Sequence, residues 1–236
     1  MRYRLICFDA GFTLIEPIRT TAATLAAILE RAGMPPTDAA LQRAWDAADA
    51  WFLDEYHRPG NDTWTADERI QRIWLHHHGL MLHELGVDDP EQRLAEMLLA
   101  AYAAPENWRP YPDAPVALDA LRRPGRTLGV VSDWSSQLPA LLKALGLGQR
   151  LDFVLTSATA GASKPAAAFY RMALERAGAA PHEALMVGDS YAADVLGARA
   201  AGMDGVLLNR YGRYDTADVP VIRSLAELAG MVELVE

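Results

Sequence analysis

Short apolar runs, each bounded by polar or turn-forming residues, recur along the chain and predict buried β-strands. These runs occupy residues 3–8, 127–131, 151–155, 184–187 and 205–208. The run 219–222 predicts a weaker strand at the sheet edge, because Pro220 cannot donate to a hydrogen-bond ladder. Apolar residues at helical spacing separate the strands, at residues 137–145, 166–177 and 190–201. Since strands and helices alternate, the predicted fold class is α/β, with a Rossmann-like parallel sheet.

Residues 16–107 follow a different pattern. Their apolar residues recur at helical spacing and predict helices over residues 20–32, 37–56, 66–85 and 90–104. Prolines then cluster at positions 105, 110, 112 and 115, which indicates a linker that returns the chain to the sheet. The sequence therefore predicts a core of residues 1–15 and 108–236, with an all-helical cap domain of residues 16–107 inserted after the first strand.

The composition allows a sizeable core, since 51% of the 236 residues are hydrophobic, and the formal net charge is −9. An acidic protein repels nucleic acid on average, so no nucleic-acid partner is expected. No apolar run approaches the ~20 residues that span a bilayer, and Asp9 interrupts the first run too early for a signal peptide. The single cysteine, Cys7, excludes an intrachain disulfide and suits a reducing compartment. These features predict a cytoplasmic protein without membrane association, and none of them indicates an oligomeric state.

Polar residues lie where the predicted strands end. In open parallel sheets ligands bind beyond the carboxyl ends of the strands, so residues in these places are candidates for chemistry. The first strand ends at Asp9, the second at Ser132-Asp133 and the fourth at Gly188-Asp189. Lys164 follows the third strand, and Asp194 lies shortly after Asp189. Each residue alone is typical of a turn, a helix cap or a solvated surface, and their joint occurrence is what predicts a site.

These residue types fit one kind of chemistry. Asp9 and Asp189 are expected on neighbouring strands. Two carboxylates at such a short distance repel each other unless a cation lies between them. Mg²⁺ suits such a site, because it takes hard oxygen ligands from few protein groups and keeps water and substrate oxygens as well. Lys164 and Ser132 would then hold a small anionic substrate while Asp9 attacks it and forms a covalent intermediate that water splits.

The order and local sequence of these residues resemble the four motifs of the haloacid dehalogenase (HAD) superfamily, in particular its members with a helical cap after the first strand. The segment 9–14 is similar to the first motif, Ser132 to the second and Lys164 to the third. The segment 187–194 is similar to the fourth motif and is the closest match, and residues 197–203 continue as is typical of the family. The resemblance covers the whole chain, with the cap similar only in size and helicity.

The resemblance implies a Rossmann-like core and Mg²⁺-dependent hydrolysis, usually of phosphate esters, through an aspartyl-phosphate intermediate. By the family pattern, the metal would be held by Asp9, Gly11 (through its carbonyl oxygen), Asp189 and Asp194. Catalysis would fall to Asp9 and Lys164. The substrate would be contacted by Ser132, Asp133 and Thr13.

Position 11 departs from the family pattern. Phosphatases of this family carry a second Asp there, which protonates the leaving alcohol and later activates water, whereas this chain has Gly11 followed by Phe12. A positioned acid or base is typically worth about 10²–10⁴-fold in rate. Three interpretations remain open: a phosphohydrolase weakened by this loss, a carbon–halogen hydrolase similar to 2-haloacid dehalogenases, or a weakly catalytic binding or regulatory protein. The metal-binding form of the fourth motif, with Gly188-Asp189, favours the first of them.

Other polar and aromatic residues are interpreted as structural. The three histidines at 76–78 cannot converge on one ion, because consecutive helical residues point about 100° apart, so a solvated helix is expected. A replacement for the missing acid could come from Asp54, Glu55 or His57, although a hydrophilic helix end is the simpler interpretation. Trp134 is close enough in sequence to Ser132 to reach the site, with packing as its simpler role.

Overall fold

The computed structural model describes residues 2–56, 58, 60, 62–214 and 218–234. The chain forms two compact units, one of residues 1–16 and 110–236 and the other of residues 17–109. The first carries a β-sheet flanked by helices and is called the α/β unit. The second is built from helices and is called the helical unit.

The regular elements follow in chain order. The strands are β1 (Leu5–Phe8), β2 (Ile15–Pro17), β3 (Trp108–Pro110), β4 (Thr127–Ser132), β5 (Phe153–Thr156), β6 (Ala184–Gly188), β7 (Asp204–Leu208) and β8 (Val221–Ile222). The helices are α1 (Thr21–Arg31), α2 (Asp38–Tyr56), α3 (Asp67–Glu84), α4 (Arg93–Ala103), α5 (Asp113–Leu121), α6 (Leu138–Ala144), α7 (Ser157–Ala160), α8 (Ala167–Ala177), α9 (Gly197–Ala200) and α10 (Ala226–Leu234). A π-helix over Tyr191–Leu196 leads directly into α9.

β1 lies inside a six-stranded sheet with the order β5-β4-β1-β6-β7-β8. The strands pair in parallel throughout this sheet. β1 has β4 on one side and β6 on the other, so Phe8 lies opposite both Val130 and Val187. The predicted α/β fold with a parallel sheet is confirmed. Residues that follow β1, β4 and β6 consequently meet at the carboxyl-terminal end of the sheet.

The strands are apolar because helices cover the sheet. Every residue of β1 and of β6 is buried. The apolar face of α8, which includes Phe169 and Tyr170, packs in one cluster with Leu5, Cys7 and Met186 of the strands. Full burial of one large apolar side chain contributes roughly 1.5–3 kcal/mol, so this cluster anchors the strands whose ends carry the candidate site.

The sequence pattern does not predict three helices of the α/β unit, α5, α7 and α10. The interpretation of the proline cluster as a linker is wrong beyond residue 112, because α5 begins at Asp113 and holds Pro115 in its first turn. Proline costs little there, since the first N–H groups of a helix have no helical partner. The helix predicted over 190–201 forms, but its first part is π-helical, and Ser190 Oγ caps it by accepting the Ala193 N–H at 3.2 Å.

The helical unit contains α1 to α4, whose apolar faces form a shared core. Leu25 and Leu29 of α1 meet Met81 and Leu82 of α3 in that core. Thr20 begins α1 as its N-cap, with its hydroxyl accepting the Ala23 N–H at 3.2 Å. Among the residues that the structure describes, no helix combines the length and the hydrophobicity that a membrane crossing requires.

His77 and His78 are 1% and 0% exposed, so the expectation of a solvated helix is wrong for them. The ring of His77 lies between aromatic side chains, with its centroid 5.5 Å from that of Trp45 and 5.6 Å from that of Trp74. Nδ1 of His78 lies 3.3 Å from the carbonyl oxygen of Ala95. Burial lowers the pKa of each imidazole to about 4, so both rings are neutral near pH 7 and belong to the core of the helical unit.

Candidate active site

Asp9 follows β1 directly and is held at the carboxyl-terminal end of the sheet. Its backbone N–H donates to the carbonyl oxygen of Val187 in β6 at 2.9 Å, which extends the strand pairing by one residue. Its Oδ1 atom accepts hydrogen bonds from Ser132 Oγ at 3.0 Å and from Lys164 Nζ at 2.7 Å. The structure thus brings together three residues that the sequence placed after separate strands. Because both donors bind Oδ1, the second carboxylate oxygen, Oδ2, is the candidate nucleophile.

Lys164 joins two carboxylates inside the fold. Its Nζ atom lies 2.7 Å from Oδ1 of Asp9 and 2.5 Å from Oδ1 of Asp194, and 3% of its side chain is exposed. Burial alone would lower the pKa of Lys164, but the charges of Asp194 and Asp9 raise it well above its ordinary value. The ammonium group is therefore a fixed positive charge beside Asp9.

Asp189 and Asp194 complete a cluster of carboxylates with Asp9. One oxygen from each of these side chains lies within 4.8 Å of the other two. Oδ2 of Asp194 also accepts the backbone N–H of Ser190 at 2.9 Å, which fixes this side chain. Burial, followed by the charges of Asp9 and Asp194, raises the pKa of Asp189 to about 7, and burial raises the pKa of Asp194 as well. The carboxylates of the cluster repel one another, so a further positive charge among them would stabilise the site.

The carboxylate cluster fits Mg²⁺. Its donors are carboxylate oxygens, which are the hard ligands that Mg²⁺ prefers, and Lys164 balances only part of their charge. Asp9 and Asp189 are the candidate direct ligands, because both carboxylate oxygens of Asp194 are already engaged, Oδ1 by Lys164 and Oδ2 by the N–H of Ser190.

The turn after β1 is closely braced. Leu14 and Ile15 both donate their backbone N–H groups to the carbonyl oxygen of Ala10, at 2.9 and 3.0 Å. Phe12 has a φ angle of 58°, in the left-handed region that bulky residues rarely adopt, and such backbone strain clusters at functional sites. Thr13, expected to contact substrate, is 0% exposed, and its hydroxyl has no hydrogen-bond partner among the described residues. The structure thus places the Thr13 side chain inside the fold, beneath the turn.

Arg210, which the sequence analysis missed, braces the same turn. Its Nη2 atom donates to the carbonyl oxygen of Thr13 at 3.0 Å, and its guanidinium group binds both carboxylate oxygens of Asp113 at 2.8 and 2.9 Å. Ser224 Oγ donates to the same carboxylate at 2.6 Å. Burial alone would raise the pKa of Asp113, but the hydrogen bonds from Arg210 and Ser224 lower it. The one signal in the sequence was the position of Arg210 shortly after the strand β7.

Asp133 is tied to the loop that carries Lys164. Its Oδ1 atom accepts the backbone N–H of Lys164 at 3.0 Å, whereas its Oδ2 atom is buried without a partner among the described residues. Burial raises the pKa of Asp133 to about 7. The structure therefore places Asp133 against the backbone of the lysine loop, one residue beyond the hydroxyl of Ser132 that binds Asp9.

Comparison with known proteins identifies the family to which this arrangement belongs. A sequence model described as haloacid dehalogenase-like hydrolase matches residues 3–202. The chain belongs to this family. The matched segment runs from β1 through α9 and includes Asp9, Lys164, Asp189 and Asp194. The resemblance to the HAD superfamily that the motifs indicate is thereby confirmed.

Proteins similar to this HAD-like hydrolase bear hydrolase names. Haloacid dehalogenase-like hydrolase domain-containing protein 3 of Mus musculus is 30% identical over 100% of this chain and 96% of its own length. Ribulose-1,5-bisphosphate 5-phosphatase of Halopiger xanaduensis is 31% identical over 72% of this chain and 75% of its own length. The crystal structure of a HAD phosphatase from Thermococcus onnurineus superposes with a TM-score of 0.63 at 27% identity, covering 98% of each chain.

The HAD-like site has aromatic carbon beside the place that a side chain at position 11 would take. A β-carbon built on Gly11 would be 3.1 Å from Cζ3 of Trp134. Of the candidates for a replacement acid, Asp54 and Glu55 belong to α2 in the helical unit, where Glu55 pairs with Arg58. His57 lies outside the described residues.

Proposed function

We propose that this protein is a Mg²⁺-dependent phosphohydrolase that acts on a small phosphorylated substrate through an aspartyl-phosphate on Asp9. The cluster of Asp9, Asp189 and Asp194, with oxygens within 4.8 Å of one another beside the ammonium group of Lys164, carries the proposal. A carboxylate that attacks an anionic phosphoryl group needs positive charge to bring the two anions together. Lys164 supplies one such charge, and the carboxylates are suited to hold a second.

Mg²⁺, when bound, would offset the negative charge of the carboxylates and of the phosphoryl oxygens. Asp9 and Asp189 would hold it together with the carbonyl oxygen of Gly11. Asp194 would act in support, since its carboxylate already binds Lys164 and the N–H of Ser190.

Asp9 carries out the first step of the proposed reaction. Its Oδ2 atom attacks phosphorus, the bond between phosphorus and the leaving group breaks, and the leaving group departs with the electron pair of that bond. Lys164 Nζ and Ser132 Oγ hold Oδ1 of Asp9 and so orient Oδ2 toward the substrate. The ammonium group of Lys164 also stabilises the charge that the phosphoryl oxygens carry in the transition state.

Water carries out the second step. Its oxygen attacks the phosphorus of the aspartyl-phosphate, the bond to Asp9 breaks, and inorganic phosphate and the free carboxylate result, with a proton of the water passing to solvent. Gly11 offers neither an acid for the leaving group nor a base for this water. The proposed enzyme therefore favours acyl and activated aryl phosphates, whose leaving groups depart unprotonated, over alkyl phosphates.

The similarity to proteins named as phosphatases supports phosphoryl chemistry over carbon–halogen chemistry. One such relative is 31% identical to this chain, and a solved HAD phosphatase is 27% identical. The charge of the site supports the same choice, because a halide leaving group needs neither a proton nor a cluster of carboxylates suited to a divalent cation.

Parallel assays on p-nitrophenyl phosphate, acetyl phosphate and 2-chloropropionate, with and without Mg²⁺, test the proposal. We expect Mg²⁺-dependent phosphate release from the first two substrates and a loss of about 10³-fold or more in Asp9→Asn. Asp88→Asn, which changes an exposed carboxylate of the helical unit, is the matched control and should keep wild-type rates. Chloride release without Mg²⁺ would establish carbon–halogen hydrolysis instead, and Mg²⁺ binding without turnover of any of these substrates would establish a binding role.

A further inference from the structure

The Trp134 ring crowds the space that a side chain at position 11 would need. A β-carbon built on Gly11 would lie 3.1 Å from Cζ3 and 3.9 Å from Cη2 of the Trp134 ring. The shorter of these distances is tighter than ordinary van der Waals contact, so a residue larger than glycine needs the ring to shift by a few tenths of an ångström. We therefore expect the two positions to be coupled, because the indole at 134 leaves a side chain at position 11 little room.

The backbone of Trp134 is fixed against α7. Its N–H donates to Ser157 Oγ at 3.1 Å. Its carbonyl oxygen accepts from Ser157 Oγ at 3.4 Å and from the Ala158 N–H at 3.3 Å. Ser157 is itself fully buried. These hydrogen bonds resist movement of the Trp134 backbone, so the adjustment that a side chain at position 11 requires falls mainly on the indole ring.

The atoms that Trp134 presents to Gly11 are ring carbons. A leaving group that departs on this side of the Asp9 turn meets ring carbons of Trp134 where an acidic side chain at position 11 would otherwise stand. Phe12, which is next in the chain and 38% exposed, adds a second aromatic side chain to this turn. Aromatic groups pack favourably on such carbon surfaces, whereas a developing alkoxide gains neither a proton nor a hydrogen bond from them.

We propose that Trp134 is a specificity-determining residue of the Asp9 site, whose ring selects phosphorylated substrates with an aromatic leaving group that departs without a proton. This inference rests on the proposed phosphohydrolase function and narrows it to a class of substrate, the aryl phosphates. It also gives a physical reason for glycine at position 11, since the indole needs the room that an acidic side chain there would occupy.

The coupling between the two positions is measurable without any enzyme assay. In a double-mutant cycle of unfolding free energies, Gly11→Ala should destabilise the wild-type chain and should be neutral or stabilising in the Trp134→Ala background. Gly230→Ala is the matched control, because no atom lies within 4 Å of its built β-carbon, and its effect should be equal in both backgrounds. Additive effects of Gly11→Ala and Trp134→Ala would overturn the inference.

The selection of substrate is tested with phenyl phosphate and acetyl phosphate. Trp134→Ala should lower kcat/KM for phenyl phosphate about tenfold relative to acetyl phosphate, mainly through KM, because the aromatic contact is lost. Trp134→Phe keeps an aromatic ring and should retain most of the preference. An unchanged ratio of the two kcat/KM values in Trp134→Ala would overturn the inference.

A further experiment introduces an acid at position 11 and measures the hydrolysis of ethyl phosphate, whose leaving group needs a proton. Gly11→Asp alone should not raise the slow hydrolysis of ethyl phosphate, because the indole crowds the new carboxyl group. Gly11→Asp combined with Trp134→Ala should raise it about 10²-fold. An equal gain from Gly11→Asp alone would overturn the inference. Failure of the proposed function would look different, since the wild-type protein would then not hydrolyse acetyl phosphate, while the unfolding cycle would still report the coupling.

Discussion

Gly188 and Asp194 approach so closely that a β-carbon at position 188 would overlap the carboxylate of Asp194. Gly188 is the last residue of β6, and Asp194 lies in the π-helix that follows it. From there the carboxylate binds Lys164 Nζ and the backbone N–H of Ser190. Glycine at the end of β6 is therefore what allows the buried carboxylate to reach the lysine.

Gly188→Ala should displace Asp194 from Lys164 and lower kcat by about tenfold or more in protein that remains folded. Gly129→Ala in β4 is the matched control, because the three atoms nearest a β-carbon there all belong to the ring of Phe153. Both variants should lose stability through overpacking, measured as the melting temperature, but only Gly188→Ala should lose activity per folded molecule. Equal losses of kcat in the two variants would contradict this role for Gly188.

Lys164→Met removes the only cation that binds both Asp9 and Asp194 among the described residues. Breaking a buried ion pair on one side leaves uncompensated charge and costs about 3–5 kcal/mol, so chemical denaturation at pH 7 should show a loss of this size. Lys143→Met changes an exposed lysine of α6 and should leave the unfolding free energy nearly unchanged. Added Mg²⁺ should stabilise Lys164→Met more than it stabilises the wild type. No stabilisation of either protein by Mg²⁺ would argue against a cation site at these carboxylates.

The buried histidines of α3 should make stability depend on pH. Burial lowers the pKa of His77 and of His78 from 6.5 to about 4. Between these pH values the unfolded chain binds protons at both imidazoles and the folded chain does not, so the free energy of unfolding falls as the pH falls. Each histidine contributes on the order of 3 kcal/mol across this window.

Urea denaturation at a series of pH values checks this dependence. His77→Gln should weaken the loss of stability below pH 6.5, the ordinary pKa of histidine. His83→Gln, which changes an exposed histidine of the same helix, should leave the pH dependence as it is in the wild type. A pH dependence that is the same in all three proteins would show that His77 does not carry it.

Part of this site could be predicted from sequence because a parallel α/β chain has few possible windings. Polar residues that follow buried parallel strands meet at the carboxyl-terminal end of the sheet. The sequence alone therefore predicts that Asp9 and Asp189 lie close together. The pairing of Arg210 with Asp113 could not be predicted in this way, since it joins positions 97 residues apart and no local motif marks either one.

Two other features also depended on tertiary contacts. His77 counts as polar in a hydrophobicity pattern, and only the surrounding aromatic rings show why it is buried. Similarly, the sequence shows at Gly11 only that the acidic residue of the family pattern is missing. Only the structure shows that the Trp134 ring crowds the space beside it.

The most direct test of the central claim is to trap the covalent intermediate. Enzyme turning over acetyl phosphate with Mg²⁺ would be quenched rapidly in acid, digested and analysed by mass spectrometry. The account predicts a phosphoryl group on the peptide that contains Asp9, and its absence from Asp9→Asn treated in the same way. Phosphate release by a wild-type enzyme that carries the phosphoryl group on another residue, or on none, would contradict the assignment of Asp9 as the nucleophile.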